Sequence, residues 1–433
     1  MTSALAFPRH ERKESIDRSS PGMKSGLWGV RYIAGLFAAA IGAEACASAP
    51  DTLPPLVVAG RETFDVFAVP AGVEPGAAVL NKIQLSATVR GDQFGLRGWT
   101  WHIQIIRVDG QSLSRRLGDL QTADNIEAAP AIRLFETYAA HLWGDDKRSV
   151  SVRLGLIDLN SQFDSIDPAS VMLNSSHGIA PDLSRGGRNG PSIYPVTAVG
   201  TTVTWTRSQK WTVRFGAFDG IAGSPRSPRA FFVERLRPSD GLLLIGQGDW
   251  QIGKDQRLEG GAWGYTAAQP GVAGGRAHDH GAYLSYESPF ELLPKFNFWL
   301  RAGVASGAAQ AVAGYVGGGI VEQGVLRGRP DDRLGLGIAH AIVSDQAVRA
   351  LGIHHAETSV ELTYQARISR RFVIQPDVDF IHHPAGKAHA PDAIGLGLRF
   401  VIVGAYPLRM AANDPGDPTV PPDGSPGSSD DSE

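Results

Sequence analysis

Charged side chains recur in the middle of segments that otherwise alternate between polar and apolar residues. A guanidinium offers several fixed hydrogen-bond donors, whereas a carboxylate offers only acceptors. Lining a water-filled passage, such groups would bind a polar solute weakly and reversibly. The alternative at each position is a solvated wall on which the charges stabilise the protein by pairing with one another. The candidates are Arg153, Arg214, Arg301, Glu361, Arg367, Asp377, Asp379 and Arg399.

A second group of polar residues lies in a stretch without hydrophobic periodicity, LNSSHGIAPDLSRGGRNGPSIYPVTAVG, from Leu173 to Gly200. Connections beyond roughly 12 to 15 residues without structure of their own are uncommon, and they are usually functional or disordered. Prolines would stiffen this one, and its glycines would shape its turns. We therefore expect an ordered segment.

The elements that must position these residues are strands. In KIQLSATVR, residues 82–90, polar and apolar residues alternate with period two, as they do in WTWHIQI, WTVRFGAF and FNFWLRAGV. This alternation indicates a strand with one polar and one apolar face. We count about fifteen or sixteen such segments between Glu62 and Tyr406. The chain is therefore predicted to be all-β.

Two architectures contain many alternating strands: a soluble sandwich or barrel, and an outer-membrane barrel with its apolar face outward. Arg, Asp and Glu in mid-strand suit a water-filled lumen better than a protein core. Trp and Tyr fall near strand ends, as aromatic girdles require. We predict an antiparallel transmembrane β-barrel of about sixteen strands, of the outer-membrane porin type. The predicted girdle residues are Trp99, Trp143, Trp205, Trp211, Tyr286 and Tyr406.

The chain ends are predicted to lie outside the barrel. Residues 1–22 are interpreted as an upstream extension, with translation starting at Met23. Residues 23–49 have the basic, apolar and small-residue order of a signal peptide, cleaved after Ala49. The only cysteine, Cys46, lies in this leader, so the mature chain would lack thiols. The barrel is assigned to residues 50–410, and 411–433 to a disordered acidic tail.

Composition and motifs also argue against other classes of function. A net charge of -3 gives no support to a nucleic-acid partner. No apolar run reaches the roughly 18 to 20 residues of a membrane-spanning helix. Histidines occur in apparent loops without the supporting carboxylates that a metal site needs, so no metal or cofactor is expected. These histidines are His278 and His280, His354 and His355, and His382 and His383.

The only cluster that suggests catalysis is Ser175, Ser176 and His177. Residues adjacent in a chain rarely point at one another as a nucleophile and its base must. No GxSxG stretch is present, and SRGGRNG is not followed by the GK[ST] of a phosphate loop. The chain is therefore not expected to be an enzyme.

Six segments together resemble the carbohydrate-selective porin family (OprB type), and the resemblance extends from about Leu117 to Phe400. Each motif alone is modest evidence, whereas their joint presence in order is specific. They are LGDLQTADNIEA, GLIDLNSQFD, the stretch from Leu173 to Gly200 quoted above, FGAFDG, GRPDDRLGLGIAHA and ETSVELTYQARISRRFVIQPDVDFI.

The resemblance implies a barrel of about sixteen strands in the Gram-negative outer membrane. Glucose and other small sugars would diffuse passively through it into the periplasm. Outer-membrane lipid, lipopolysaccharide and the outer-membrane assembly machinery would be its other partners, and the barrel would be a monomer or a homotrimer. Two alternatives stay open. The first is a porin of the same fold that is either general or selective for ions or small acids. The second is an exported β-sandwich that binds sugar.

A selective pore needs a constriction, which should come from backbone that leaves the wall. Two regions are candidates: the loop region from Asp158 to Asn189, and an earlier segment around Asp119. The alternative is that Asn, Asp and Ser merely satisfy turns by bonding their own backbone. The constriction candidates are Asp119, Asn125, Glu127, Asp158, Asn160, Asp164, Asn174, Asp182, Arg185, Arg188 and Asn189.

The sequence departs from the family pattern at both ends of the barrel. Before Leu117 little matches the family's first strands. The strand IGLGLRFVIVGAY, Ile394 to Tyr406, precedes an acidic tail, whereas family members end on a strand with a terminal aromatic residue. Phe400 or Tyr406 would take the place of that residue.

Overall fold

Alternating polar and apolar residues produce a closed barrel of sixteen antiparallel strands. The computed structural model describes residues 56–408, apart from 146, 225, 233–235, 254 and 291–292. Cys46, the predicted signal peptide and the predicted acidic tail lie outside the described residues. Among the described residues, no helix is long and apolar enough to cross a membrane.

Each barrel strand pairs with its neighbours in the chain, and the last strand pairs with the first. A small hairpin, β10–β11, lies in the connection between β9 and β12. The strands are β1 Leu56–Ala71, β2 Gly76–Arg90, β3 Trp99–Gly110, β4 Ala131–Gly144, β5 Ser149–Ile157, β6 Ala198–Ser208, β7 Trp211–Asp219, β8 Leu242–Gly253, β9 Gln256–Tyr265, β10 Gln269–Pro270, β11 Arg276–Ala277, β12 His280–Phe290, β13 Leu293–Ala305, β14 Val312–Gln323, β15 Arg333–Val343, β16 Ala356–Arg367, β17 Phe372–His382 and β18 Ala393–Leu408.

Helices are short and lie in the connections. The α-helices are α1 Leu113–Leu117, α2 Pro181–Ser184 and α3 Asp345–Leu351. Single turns of 3₁₀-helix span Gly91–Phe94, Leu159–Ser161, Pro168–Val171, Ser175–His177 and Pro238–Asp240.

The two faces of each strand differ in the way the alternation predicts. On β5 and β7 the outward Leu154 and Phe215 are 62% and 59% exposed. On β1 the inward Thr63 and Asp65 are buried. Large apolar side chains on the outside of a closed barrel require lipid around them. The predicted fold class, an antiparallel transmembrane barrel of porin type, is therefore confirmed.

The two ends of the barrel also differ. The first residue of β1 and the last of β18 lie at the end where short turns join the strands. The other end carries the long connections 111–130, 158–197 and 220–241. Exposed tryptophans lie toward the short-turn end, as an interfacial girdle would. They include the predicted Trp99, Trp143, Trp205 and Trp211, together with Trp250, whose ring stacks on that of Trp211 at 5.3 Å.

Candidate channel constriction

The connection 158–197, which contains most of the segment without hydrophobic periodicity, lies inside the barrel. There, side chains of the wall accept hydrogen bonds from its backbone N–H groups. The N–H groups of Leu173 and Asn174 donate to the two carboxylate oxygens of Glu361 on β16, at 2.6 and 2.9 Å. The Asn174 amide donates to Ser359 at 3.1 Å and to Asp379 at 3.4 Å. Because every partner faces the lumen, this part of the segment is fixed against β16 and β17.

A buried arginine on β13, three strands away from β16, fixes the same connection at another place. Arg301 on β13 donates from Nε to Asp164 Oδ1 at 3.1 Å and from Nη2 to Asp164 Oδ2 at 2.9 Å. Its Nη1 donates to Asp182. The guanidinium also lies 5.2 and 5.3 Å from the ring centres of Tyr283 and Tyr315. One side chain therefore holds two points that are well separated in the segment.

The connection 111–130 lies inside the barrel in the same manner. Arg399 on β18 donates to Asp65 on β1 at 2.7 Å and to Asp124 at 2.9 Å. It also donates to the side-chain oxygen of Asn125 at 2.9 Å. On β16, the Glu357 carboxylate accepts the N–H groups of residues 120 and 121 at 2.6 and 2.9 Å. Charged wall residues thus fix this connection as well.

Backbone hydrogen bonds join the two connections into one unit, which we call the inner layer and define as residues 111–130 and 158–197. Asn125 N–H donates to the Leu173 carbonyl at 2.8 Å, and Ser175 N–H to the Thr122 carbonyl at 2.9 Å. Arg185 donates to the Leu120 carbonyl and, at 3.3 Å, to Thr122 Oγ1. The inner layer therefore lies in the lumen as one hydrogen-bonded unit, and its role as the constriction stays a prediction.

Apolar contacts close the space between the inner layer and the wall. Phe163 packs in a buried cluster with Phe218 and Trp263, and Met172 packs beside Trp299. On β15 a glycine allows this approach, because a Cβ at Gly337 would lie 2.7 Å from the Met172 methyl group. The inner layer is therefore packed against the wall as a core would be.

Several predicted constriction residues serve the local backbone, as the turn interpretation proposed. Asp119 accepts the Ala123 N–H at 2.8 Å, and Asp158 accepts the Asn160 N–H at 3.0 Å. Glu127 accepts the N–H groups of Leu113 and Ser114 at the start of α1. Asn160 donates to carbonyls within the inner layer, and Asn189 donates to the Ala222 carbonyl. Arg185 and Arg188 are exposed.

The predicted wall residues all face the lumen, but they divide into two groups. Arg153 and Arg214 are partly exposed, and Arg367 is exposed. The others are buried by the inner layer, which corrects the expectation of a solvated wall at their positions. The buried group is Arg301, Glu361, Asp377, Asp379 and Arg399.

Strands β2 to β5 present a more open part of the wall. Lys82 Nζ lies 4.7 Å from the ring centre of Tyr194, and the Arg153 guanidinium lies 5.1 Å from that of Tyr138. All four side chains are partly exposed. Lys82, Tyr138 and Tyr194 were not among the residues predicted from the sequence, although Lys82 stands on the polar face of KIQLSATVR.

A titratable carboxyl lies at the edge of this open wall. Burial, together with the neighbouring Glu136 carboxylate, raises the pKa of Asp158 to about 7. Lys82 acts in the opposite direction, because its positive charge favours the ionised carboxylate. The Asp158 backbone N–H donates to Glu136 at 2.9 Å. The charge at this point therefore changes near neutral pH.

A second polar surface runs along β7 to β12, and of its residues only Arg214 was predicted from the sequence. Arg257 lies 2.8 Å from Glu287, and Arg214 contacts Asp249. Glu287 in turn accepts the Asp167 N–H at 2.9 Å. The period of two along each strand could have identified these residues, because it assigns Asp249, Arg257 and Glu287 to the lumen face of their own strands.

The cluster that suggested catalysis lacks the required contact. Ser176 Oγ donates to the Gln121 carbonyl at 3.4 Å, and the His177 ring packs edge-on against Trp299 at 5.7 Å. Burial lowers the pKa of His177 to about 4. Among the described residues, neither ring nitrogen of His177 has a hydrogen-bond partner. No serine is therefore paired with this base.

The sequence matches the model of a family described as carbohydrate-selective porin, OprB family, over residues 74–403. The chain belongs to this family. No curated protein matches the sequence. The carbohydrate-selective porins are channels of the Gram-negative outer membrane, so the match also gives the setting in which this barrel works.

Solved structures agree with the family assignment. The high-pH structure of Pseudomonas putida OprB matches with a TM-score of 0.71 and 16% identity, covering 81% of this chain and 94% of that one. The outer-membrane channel DcaP of Acinetobacter baumannii matches with a TM-score of 0.53 and 8% identity, covering 83% and 100%. At such identities the likeness shows the porin fold.

Proposed function

We propose that this porin passes small sugars, glucose among them, by passive diffusion between the inner layer and the open wall of β2 to β5. The observation that carries the proposal is a pair of cation–tyrosine contacts beside this path: Lys82 of the wall with Tyr194 of the inner layer, and Arg153 with Tyr138, both on the wall. Family membership supports the class of solute.

The chemistry of these pairs suits a sugar. Ammonium and guanidinium groups donate hydrogen bonds to hydroxyl oxygens, while a tyrosine ring offers a flat apolar face to the C–H groups of a pyranose. Each contact is weak, because both groups remain partly in water. A conducting site must be weak enough to release the solute that it admits.

One observation favours a second candidate, a porin selective for small acids. The lumen-facing cations Arg61, Lys82, Arg90 and Arg153 stand on three strands of the first third of the barrel. Their positive charge would attract carboxylates as well as align sugar hydroxyls. Sugar acids would then pass faster than neutral sugars of the same size.

Planar bilayers containing the purified barrel distinguish these possibilities. Current should fall as glucose is added at millimolar to molar concentrations, and liposomes should swell in glucose. Faster swelling in gluconate at matched osmolarity would favour the acid-selective candidate. If neither solute blocks current or swells liposomes, the proposed sugar path is wrong.

A further inference from the structure

Two histidines and a carboxylate meet at the long-loop end of the barrel. His382 is the last residue of β17, and its Nδ1 lies 3.0 Å from Asp392 Oδ2. The His383 N–H donates to Asp392 Oδ1 at 2.9 Å. One potential ligand atom from each of these three residues lies within 4.8 Å of the others. The sequence immediately around His382 and His383 lacks a carboxylate, and Asp392 supplies one from the far end of the β17–β18 connection.

A third imidazole reaches the same place from another connection. The ring of His354, between β15 and β16, stacks on His383 at 4.7 Å, and His383 stacks on His382 at 3.7 Å. His354 Nε2 lies 3.2 Å from the Ala390 carbonyl, which leaves Nδ1 for another partner. His383 has a φ of 55°, a left-handed conformation that residues other than glycine rarely adopt. Such backbone is more frequent at functional sites than elsewhere.

We propose that His382, His383 and Asp392 bind a divalent transition-metal ion of the zinc class, with His354 as the fourth ligand. Imidazole nitrogens and carboxylate oxygens are the usual zinc ligands of proteins that lack thiolates at the site. The rings are stacked with centres 3.7 and 4.7 Å apart, so the side chains must rotate to point their nitrogens at one ion, near 2.0 to 2.1 Å from each. The side chains can make these rotations because His382, His383 and Asp392 are exposed.

The site is joined to the constriction through the same connection. The Gly386 N–H donates to the Gly118 carbonyl at 2.9 Å, and the Ala385 N–H donates to Glu357 at 2.7 Å. Glu357 also accepts the backbone of the inner layer. An ion that ties His354 to the β17–β18 connection would therefore stiffen the channel mouth beside residues 111–130.

The test uses the full chain, purified without a polyhistidine tag, and a chromogenic chelator that competes for zinc. We expect about one zinc ion per barrel, and binding weakened about tenfold or more in the double variant His382→Gln/His383→Asn. Asparagine is chosen because it tolerates positive φ better than most residues. Asp392→Asn is the second variant, in case the double variant loses the heat-modifiable gel mobility of a folded barrel.

The matched control is His278→Gln/His280→Gln, which removes a histidine pair at the same end of the barrel and should leave zinc affinity unchanged. Three results would overturn the proposal. The unaltered chain could bind no zinc, or the folded Asp392→Asn variant and the double variant could both bind zinc as tightly as the unaltered chain. The control could also lose as much zinc affinity as the double variant. Histidines that only line the channel mouth and bind no metal would give the first of these results.

Discussion

Arg301 and Asp164 form a two-bond ion pair inside the barrel, with N–O distances of 3.1 and 2.9 Å and both side chains almost completely buried. Asp182 completes the group from a different turn of the inner layer. A guanidinium can hold two carboxylates in fixed directions because its donors lie in one plane. The position of the inner layer therefore depends on this group.

Replacing Arg301 by Met should leave two buried carboxylates without their cation. Removing one partner of a buried ion pair costs about 3 to 5 kcal/mol. We expect that loss in the free energy of unfolding by urea, together with larger and noisier single-channel currents. Arg367→Met, at an exposed lumen position on β16, should change unfolding by less than about 0.5 kcal/mol. Equal effects of the two substitutions would contradict the anchoring role of Arg301.

Glu361→Gln should loosen the inner layer at a second point. The carboxylate accepts two backbone N–H groups, and an amide can accept only with its oxygen. A buried N–H left without an acceptor costs about 1 to 3 kcal/mol. Faster hydrogen exchange at Leu173 and Asn174 would report the change directly. Unchanged protection there would show that Glu361 does not fix the segment.

Arg153→Gln and Tyr138→Leu should each weaken block of the current by glucose. Each removes one weak contact worth about 0.5 to 1.5 kcal/mol, which corresponds to about two- to tenfold in affinity. Arg214→Gln is the control for general loss of lumen charge, because Arg214 is paired with Asp249 on the other polar surface. A glucose block weakened only in the control would move the sugar path to β7–β12.

Arg185 and Arg188 give a prediction about the inner layer itself. Both are exposed, but Arg185 contacts the Leu120 carbonyl and so also joins the two connections. Arg185→Ala/Arg188→Ala should change sugar block while the barrel keeps its heat-modifiable gel mobility. Of the two single variants, Arg185→Ala should also alter resting conductance. Unchanged block in the double variant would place the filter elsewhere.

Asp158 predicts a pH dependence. With a pKa of about 7, its carboxyl is mostly neutral at pH 6 and mostly ionised at pH 8. Selectivity for cations, measured as a reversal potential in a salt gradient, should therefore rise over this range. Asp158→Asn should keep the low-pH selectivity throughout.

The raised pKa of Asp158 also means that the folded barrel binds this proton more tightly than the unfolded chain does. That contribution to stability is full below about pH 4 and is lost as pH rises through 7.

Alternation along the chain was sufficient to predict the barrel, because the side-chain period of a strand assigns every second residue to the same face. This rule assigns Arg153 and Glu361 to the polar face of their strands. It could not tell which wall residues face water and which are covered, because that depends on where the connections fold. Glu361 and Leu173 are 188 residues apart, and Arg399 and Asp124 are 275 apart.

The constriction residues were harder to assign because Asn and Asp in a loop serve turns and ligands equally well. Asp158 and Asp164 illustrate the difficulty. Both lie in GLIDLNSQFD, yet Asp158 bonds its own turn and Asp164 pairs with Arg301 on a distant strand. Asp124 was missed although it lies between the candidates Asp119 and Asn125.

The pairing of β1 with β18 has a consequence for how the chain reaches its folded form. All other strand pairs of the barrel join strands that are near each other in sequence. The β1–β18 pair, which we call the seam, joins Leu56 to Leu408. Joining distant segments carries the largest entropy of loop closure, so the seam should be the slow step in folding. Arg399 crosses the same seam to Asp65 and also holds Asp124. Closing the barrel and seating residues 111–130 in the lumen therefore depend on the same side chain.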